Sequence, residues 1–101
     1  MREAADLAII DEIVEQANGG TRAALGSVST RRALSEKRVR ELYLTHRYRE
    51  DQPVDAETAV RLALAQGAQV EEVSRTAAER LDQLGGIAAR LRYSRQRRRI
   101  S

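Results

Sequence analysis

Glycine punctuates this chain in a way that admits few folds. Asn18-Gly19-Gly20, Gly67 and Gly85-Gly86 each close a stretch with helical spacing, and a short apolar run follows each of them. Glycine tolerates the left-handed conformation in which helices commonly end, so these positions read as helix-to-strand turns. Residues 3–17 place Leu7, Ile10, Val14 and Ala17 at helical spacing, with Ile13 beside them. Residues 21–26 then read as a strand through Ala23-Ala24-Leu25. Ser27 or Ser29 offers an oxygen for the cap of a helix running to about Glu36, with Ala33 and Leu34 inward.

Residues 39–45 form the strongest strand. Leu42-Tyr43-Leu44 is apolar on successive positions, which predicts cover on both faces. Residues 46–53 read as a polar loop holding the chain's one proline. Asp55 is expected to cap the next helix, with Val54 and Ala59 stapled across its start. Ala56, Val60, Ala63 and Leu64 form its inward stripe. Residues 68–73 are a weaker strand, diluted by Gln69, Glu71 and Glu72 and expected near a sheet edge. Thr76-Ala77-Ala78-Glu79 matches a capping box, and Leu81 and Leu84 face inward after it. Residues 87–93 alternate: Ile87, Ala89, Leu91 and Tyr93 on one face, Ala88, Arg90 and Arg92 on the other.

The resulting order, α-β-α-β-α-β-α-β, predicts an α/β chain. It should form a three-layer α/β/α sandwich around a mixed four-stranded sheet. Most β-α-β crossovers are expected to be right-handed and parallel. One domain over residues 1–94, followed by a basic tail at 95–101, accounts for the 101 residues.

The chemistry within reach is narrow. Without cysteine, disulfides, thiolate catalysis and zinc-finger ligation are excluded. His46 is the only histidine, and alone in a polar loop it reads as solvent-exposed, not as a metal ligand. Both glycine pairs follow helices, the wrong side for cradling a phosphate at a helix N-terminus. No serine sits in a nucleophile elbow, and the carboxylates are scattered over helix faces with no pair that must share a pocket. These readings predict a protein that is not an enzyme and takes no cofactor, metal or small-molecule substrate. No apolar run approaches the ~18 residues a membrane span needs. The first residues carry acids where a signal peptide is basic and then apolar, so a cytoplasmic location and no membrane partner are expected.

Charge is unevenly placed. Arg95, Arg97, Arg98 and Arg99 crowd the last seven residues, whereas Glu3, Asp6, Asp11, Glu12 and Glu15 outnumber Arg2 in residues 1–17. A basic end attracts phosphate or an acidic protein surface.

The stretch from Glu79 to Tyr93, with its Gly-Ile-x-Ala-x-Leu-Arg-aromatic strand, resembles the end of a known domain. That domain is the C-terminal one of the archaeal and eukaryotic class-1 peptide-chain release factor and Pelota family. Leu25 to Leu42 resembles the same domain's strand, glycine, helix and Ala-Leu…Gly-x-Val-x-x-Leu segment, and the likeness spans about residues 7–93. It implies the α/β/α sandwich shared with the kink-turn-binding ribosomal proteins, and a chain cut from a larger protein. The peptide-hydrolysing Gly-Gly-Gln of release factors is absent, since the two Gly-Gly pairs continue into Thr21 and Ile87.

The resemblance further implies an interaction domain of a ribosome-associated translation protein. Its partner would be a protein, either a translational GTPase or a ribosome component. The candidate partner-binding residues are Arg90, Arg92, Arg95, Arg97 and Arg98. If Arg90 and Arg92 are instead satisfied internally, Glu71 or Glu72 are the expected partners. The alternative is an RNA-binding domain of the kink-turn type contacting ribosomal RNA, through Ser27, Arg31, Arg32 and Arg75. Against it, Val28 and Ser29 stand where the Gly-x-Asn-Glu motif after Gly26 supplies base-edge contacts. A third reading leaves the function wholly to other parts of a parent chain.

Overall fold

The structure is a computed structural model that describes residues 2–18 and 22–92, and of residues 2–6 the backbone alone. Its elements are α1 (Arg2–Asn18), β1 (Ala23–Leu25), α2 (Gly26–Ser35), β2 (Val39–Thr45) and α3 (His46–Asp51), then α4 (Pro53–Ala65), β3 (Gln69–Val73), α5 (Arg75–Gln83) and β4 (Ile87–Leu91). The four strands make one mixed sheet in the order β1-β4-β2-β3. Only β2 and β3 are parallel; β4 runs antiparallel to both β1 and β2. The expected predominance of parallel crossovers therefore gives way at β4. Ile87, Ala88 and Ala89 are all buried, which suits an interior position better than an edge. Polar β3 takes an edge.

Strand alternation divides the core into two layers. Leu42, Leu44, Ile87, Ala89 and Leu91 meet Ala33, Leu34, Ala56, Ala59 and Ala63 of α2 and α4 on one side. Tyr43, Ala88, Ala23 and Val73 meet Ile10 and Ile13 of α1 and Ala77 and Leu81 of α5 on the other. Full burial of each Leu, Ile or Val contributes roughly 1.5–3 kcal/mol. A shift in register between Val39 and Glu41 inserts one residue against β4, so Val39 pairs with Leu91 and Glu41 with Arg90. This bulge turns Val39 to the same side as Leu42, where it is fully buried.

Helices α2, α4 and α5 end alike. In each, the second residue past the cap donates its N–H five residues back: Arg38 to Ala33 O, Ala68 to Ala63 O, Gly86 to Leu81 O. Gly67 and Gly85 serve as the left-handed residues of α4 and α5, at φ 78° and 109°. In α2 that residue is Lys37, at φ 59°.

Local expectations are corrected as well. Residues 46–51 are helical because Thr45 Oγ1 accepts from Tyr48 N at 3.0 Å and caps the turn. Helix α4 starts at Pro53, not Asp55, and Val54 is 73% exposed, so no staple forms with Ala59. Leu64 is 61% exposed because Ala56, Ala59 and Ala63 set the buried stripe. Neither Ser27 nor Ser29 caps α2, which begins at Gly26, and α5 begins at Arg75, with Ser74 and not Thr76 at its cap position. Tyr93 and the tail at 95–101 lie outside the described residues.

Candidate functional site

Arg90 projects from β4 toward α1. Its guanidinium lies 3.6 Å from Glu12 of α1 and 3.5 Å from Glu41, its register partner on β2. Glu41 also accepts a 2.7 Å hydrogen bond from the Tyr43 hydroxyl. Burial, and then the bond to Glu41, push the Tyr43 phenol well above its ordinary range. The expected partners Glu71 and Glu72 are not the ones used, because β2 separates β4 from β3. Glu72 instead pairs with Arg49 at 2.8 Å.

Arg92 is also engaged within the domain. Its Nε donates to Val39 O at 3.2 Å, and its Nη2 donates to Gln66 O at the end of α4. Gln66 accepts from Val39 N at 2.9 Å and donates to Leu34 O and Leu62 O. Sequence reasoning missed Gln66, and no local signal marks it. Of the candidate partner-binding residues, Arg90 and Arg92 hold elements of the fold together, while Arg95, Arg97 and Arg98 lie outside the described residues.

At the opposite end of the sheet is an open cleft of ≈ 530 Å³, lined by Ser27, Arg47, Tyr48, Asp55, Asp82 and Gly86, among others. Burial, followed by the charge of Asp55, raises the Tyr48 phenol. Asp55 pairs with Arg31 at 2.6 Å, Arg47 lies 3.8 Å from Asp51, and Asp82 accepts from the Thr45 hydroxyl at 2.6 Å. The sequence signal for Thr45 is a hydroxyl residue directly after a strong strand, three residues before Tyr48.

Of the alternative RNA set, Ser27, Arg31 and Arg32 line one open groove on α2 with Val28 and Ser35. Ser27 borders the carboxylates of the cleft, Arg31 is paired with Asp55, and Arg32 lies 3.7 Å from Glu36. Arg75 is exposed at the start of α5 with φ 57°. His46 is exposed and sits 3.1 Å from Glu50. Among the described residues, no group of three or more His, Cys, Asp or Glu could hold a metal ion, and no helix is long and apolar enough to cross a membrane.

Residues 4–95 match the family model described as eRF1 domain 3. The chain belongs to that family. Archaeoglobus fulgidus Pelota superposes with a TM-score of 0.81 at 28% identity, over 93% of this chain and 31% of that one. Dom34 of S. cerevisiae, a translation termination-like factor, matches with a TM-score of 0.74 at 25% identity, over 89% of this chain and 27% of its own. The archaeal translation termination factor aRF1 gives 0.65 at 28% identity, over 89% of this chain and 26% of its own. This chain thus spans less than a third of the length of these solved relatives. No curated protein matches it. The fold and family inferred from Glu79–Tyr93 and Leu25–Leu42 are those found.

Proposed function

We propose that this domain is a non-catalytic docking module of a release-factor-like, ribosome-associated translation protein, and that its partner is a translational GTPase or a ribosome component. The observation that carries this reading is the match of residues 4–95 to a domain of translation factors. Dom34, a solved member, is described as interacting with Hbs1. The side chains support it as well. The cleft's carboxylates Asp51, Asp55 and Asp82 are each engaged by a neighbour, which suits structure more than acid–base chemistry.

RNA binding is the less favoured reading, because Arg31 and Arg32 are paired and Ser27 faces carboxylates. The basic tail is the part of the chain best suited to an acidic partner surface. Reversing Arg95 and Arg97 to Glu is expected to weaken cosedimentation with ribosomes, or capture of the GTPase, with the melting temperature nearly unchanged. Association that survives the double reversal would remove the tail from the reading. Binding to ribosomal RNA that collapses between ~50 and ~200 mM salt would favour RNA instead.

A further inference from the structure

The Thr30 hydroxyl is a buried polar group that the rest of the domain leaves unanswered. Thr30 lies on the inner face of α2 beside Ala33 and Leu34 and is 1% exposed. Its Oγ1 has no hydrogen-bond partner among the described residues. A threonine inside a helix often bonds to the carbonyl one turn earlier, and here it does not. Burying a hydroxyl without a partner is costly, and in folded proteins such groups are almost always paired with protein or with ordered water. Valine has nearly the same shape and carries no such cost.

Beside Thr30, between α2 and α4, is a small cavity. It offers ≈ 20 Å³ to the centre of a water molecule and is lined by Thr30, Leu34, Tyr48, Thr58, Leu62 and Ile87, among others. On that measure roughly 10–15 Å³ admits one water, and a water needs about two to four polar partners to stay. Ser27, Tyr48, Asp55 and Thr58 bring further hydroxyls and a carboxylate to the same lining as Thr30. We propose that this cavity is a binding site for a single structural water, held by the Thr30 hydroxyl and by polar groups of α3 and α4 facing it. A bridging water is nearly as favourable as a direct hydrogen bond. It links α2 to α4 alongside the Arg31–Asp55 ion pair. Ser27, Tyr48 and Asp55 also line the open cleft, so the water sits at the cleft's inner wall. The site depends on no partner and stands whether or not the docking reading holds.

Oxygen-17 relaxation dispersion on the full chain counts long-lived waters, and a crystal structure locates them. Thr30→Val keeps the shape and removes the hydroxyl, whereas Thr30→Ser keeps the hydroxyl. Thr30→Val is expected to lower the dispersion amplitude by the equivalent of one water, and Thr30→Ser to preserve it. Crystals of the wild-type chain should show density within hydrogen-bonding distance of Thr30 Oγ1. Equal amplitudes for wild type and Thr30→Val would overturn the proposal, and so would a loss of equal size in both variants. A crystal structure in which the Thr30 hydroxyl bonds to a protein group beside a dry cavity would do the same. Should Thr30→Val fail to fold, the wild-type crystal structure decides alone.

Discussion

The two ends of the central sheet are finished by different means. Where β2 begins, long side chains reach the main chain: Gln66 bridges Val39, Leu34 and Leu62, and Arg92 bridges Gln66 and Val39. Where β2 finishes, closeness of backbone does the work. Gly85 lies against Gly26, Gly86 lies under the Tyr48 ring, and Gly86 O accepts from Thr45 N at 3.1 Å. The first end is sealed by added atoms, the second by atoms left out. The open cleft lies at the second end. The difference means that the two ends should fail under opposite kinds of mutation.

The largest expected effect is at the glycine end. A Cβ on Gly86 would stand 3.1 Å from both Cβ and Cδ1 of Tyr48, at a φ of 81°. Left-handed strain and overpacking together make Gly86→Ala cost about 3 kcal/mol, read from denaturant midpoints. Near-neutral stability would show that this end is not held by close approach. At the other end, Gln66→Ala leaves the Val39 N–H without its partner and should cost about 2 kcal/mol. If Gln66→Ala cost less than a surface substitution, the contrast between the ends would be lost.

Thr45 tests how far the glycine end depends on side chains at all. Its hydroxyl caps α3 and donates to Asp82, so Thr45→Val should cost about 1–2 kcal/mol. Lys37→Gly should act in the opposite sense. It replaces a left-handed lysine at the α2 terminus and should add up to about 1 kcal/mol of stability by thermal melting.

A pH series adds the smallest effect. The Tyr43 phenol is raised in the folded chain, chiefly by burial. Its contribution is complete below the ordinary tyrosine value of ~10. Above that, the unfolded chain releases a proton the native chain keeps, so stability falls as pH rises. Tyr43→Phe should flatten that fall above pH ~10, relative to wild type.

The same contrast explains what could be read from the sequence. Gly67 and Gly85-Gly86 mark their turns because the left-handed requirement is local to one residue. The alternation of Ile87, Ala88, Ala89 and Arg90 gave the faces of β4 for the same reason. Gln66 carries no such mark, since its partners lie 27 and 32 positions away. Arg90 was rightly singled out as needing an acid, but its partners followed from strand order, which spacing does not encode. Helix α3 was mistaken for a loop because its composition is polar, while its cap at Thr45 was already visible. Leu64 failed as a core residue because the alanines beside it let α4 settle closer on its Ala face.

The claim on which the rest leans is that this domain acts by gripping another protein. Calorimetric titration of the whole chain with the translational GTPase of the same cell addresses it directly. A saturable one-to-one isotherm is expected, little altered between ~50 and ~200 mM salt. No heat with the GTPase, alongside tight and salt-sensitive binding to ribosomal RNA, would contradict it.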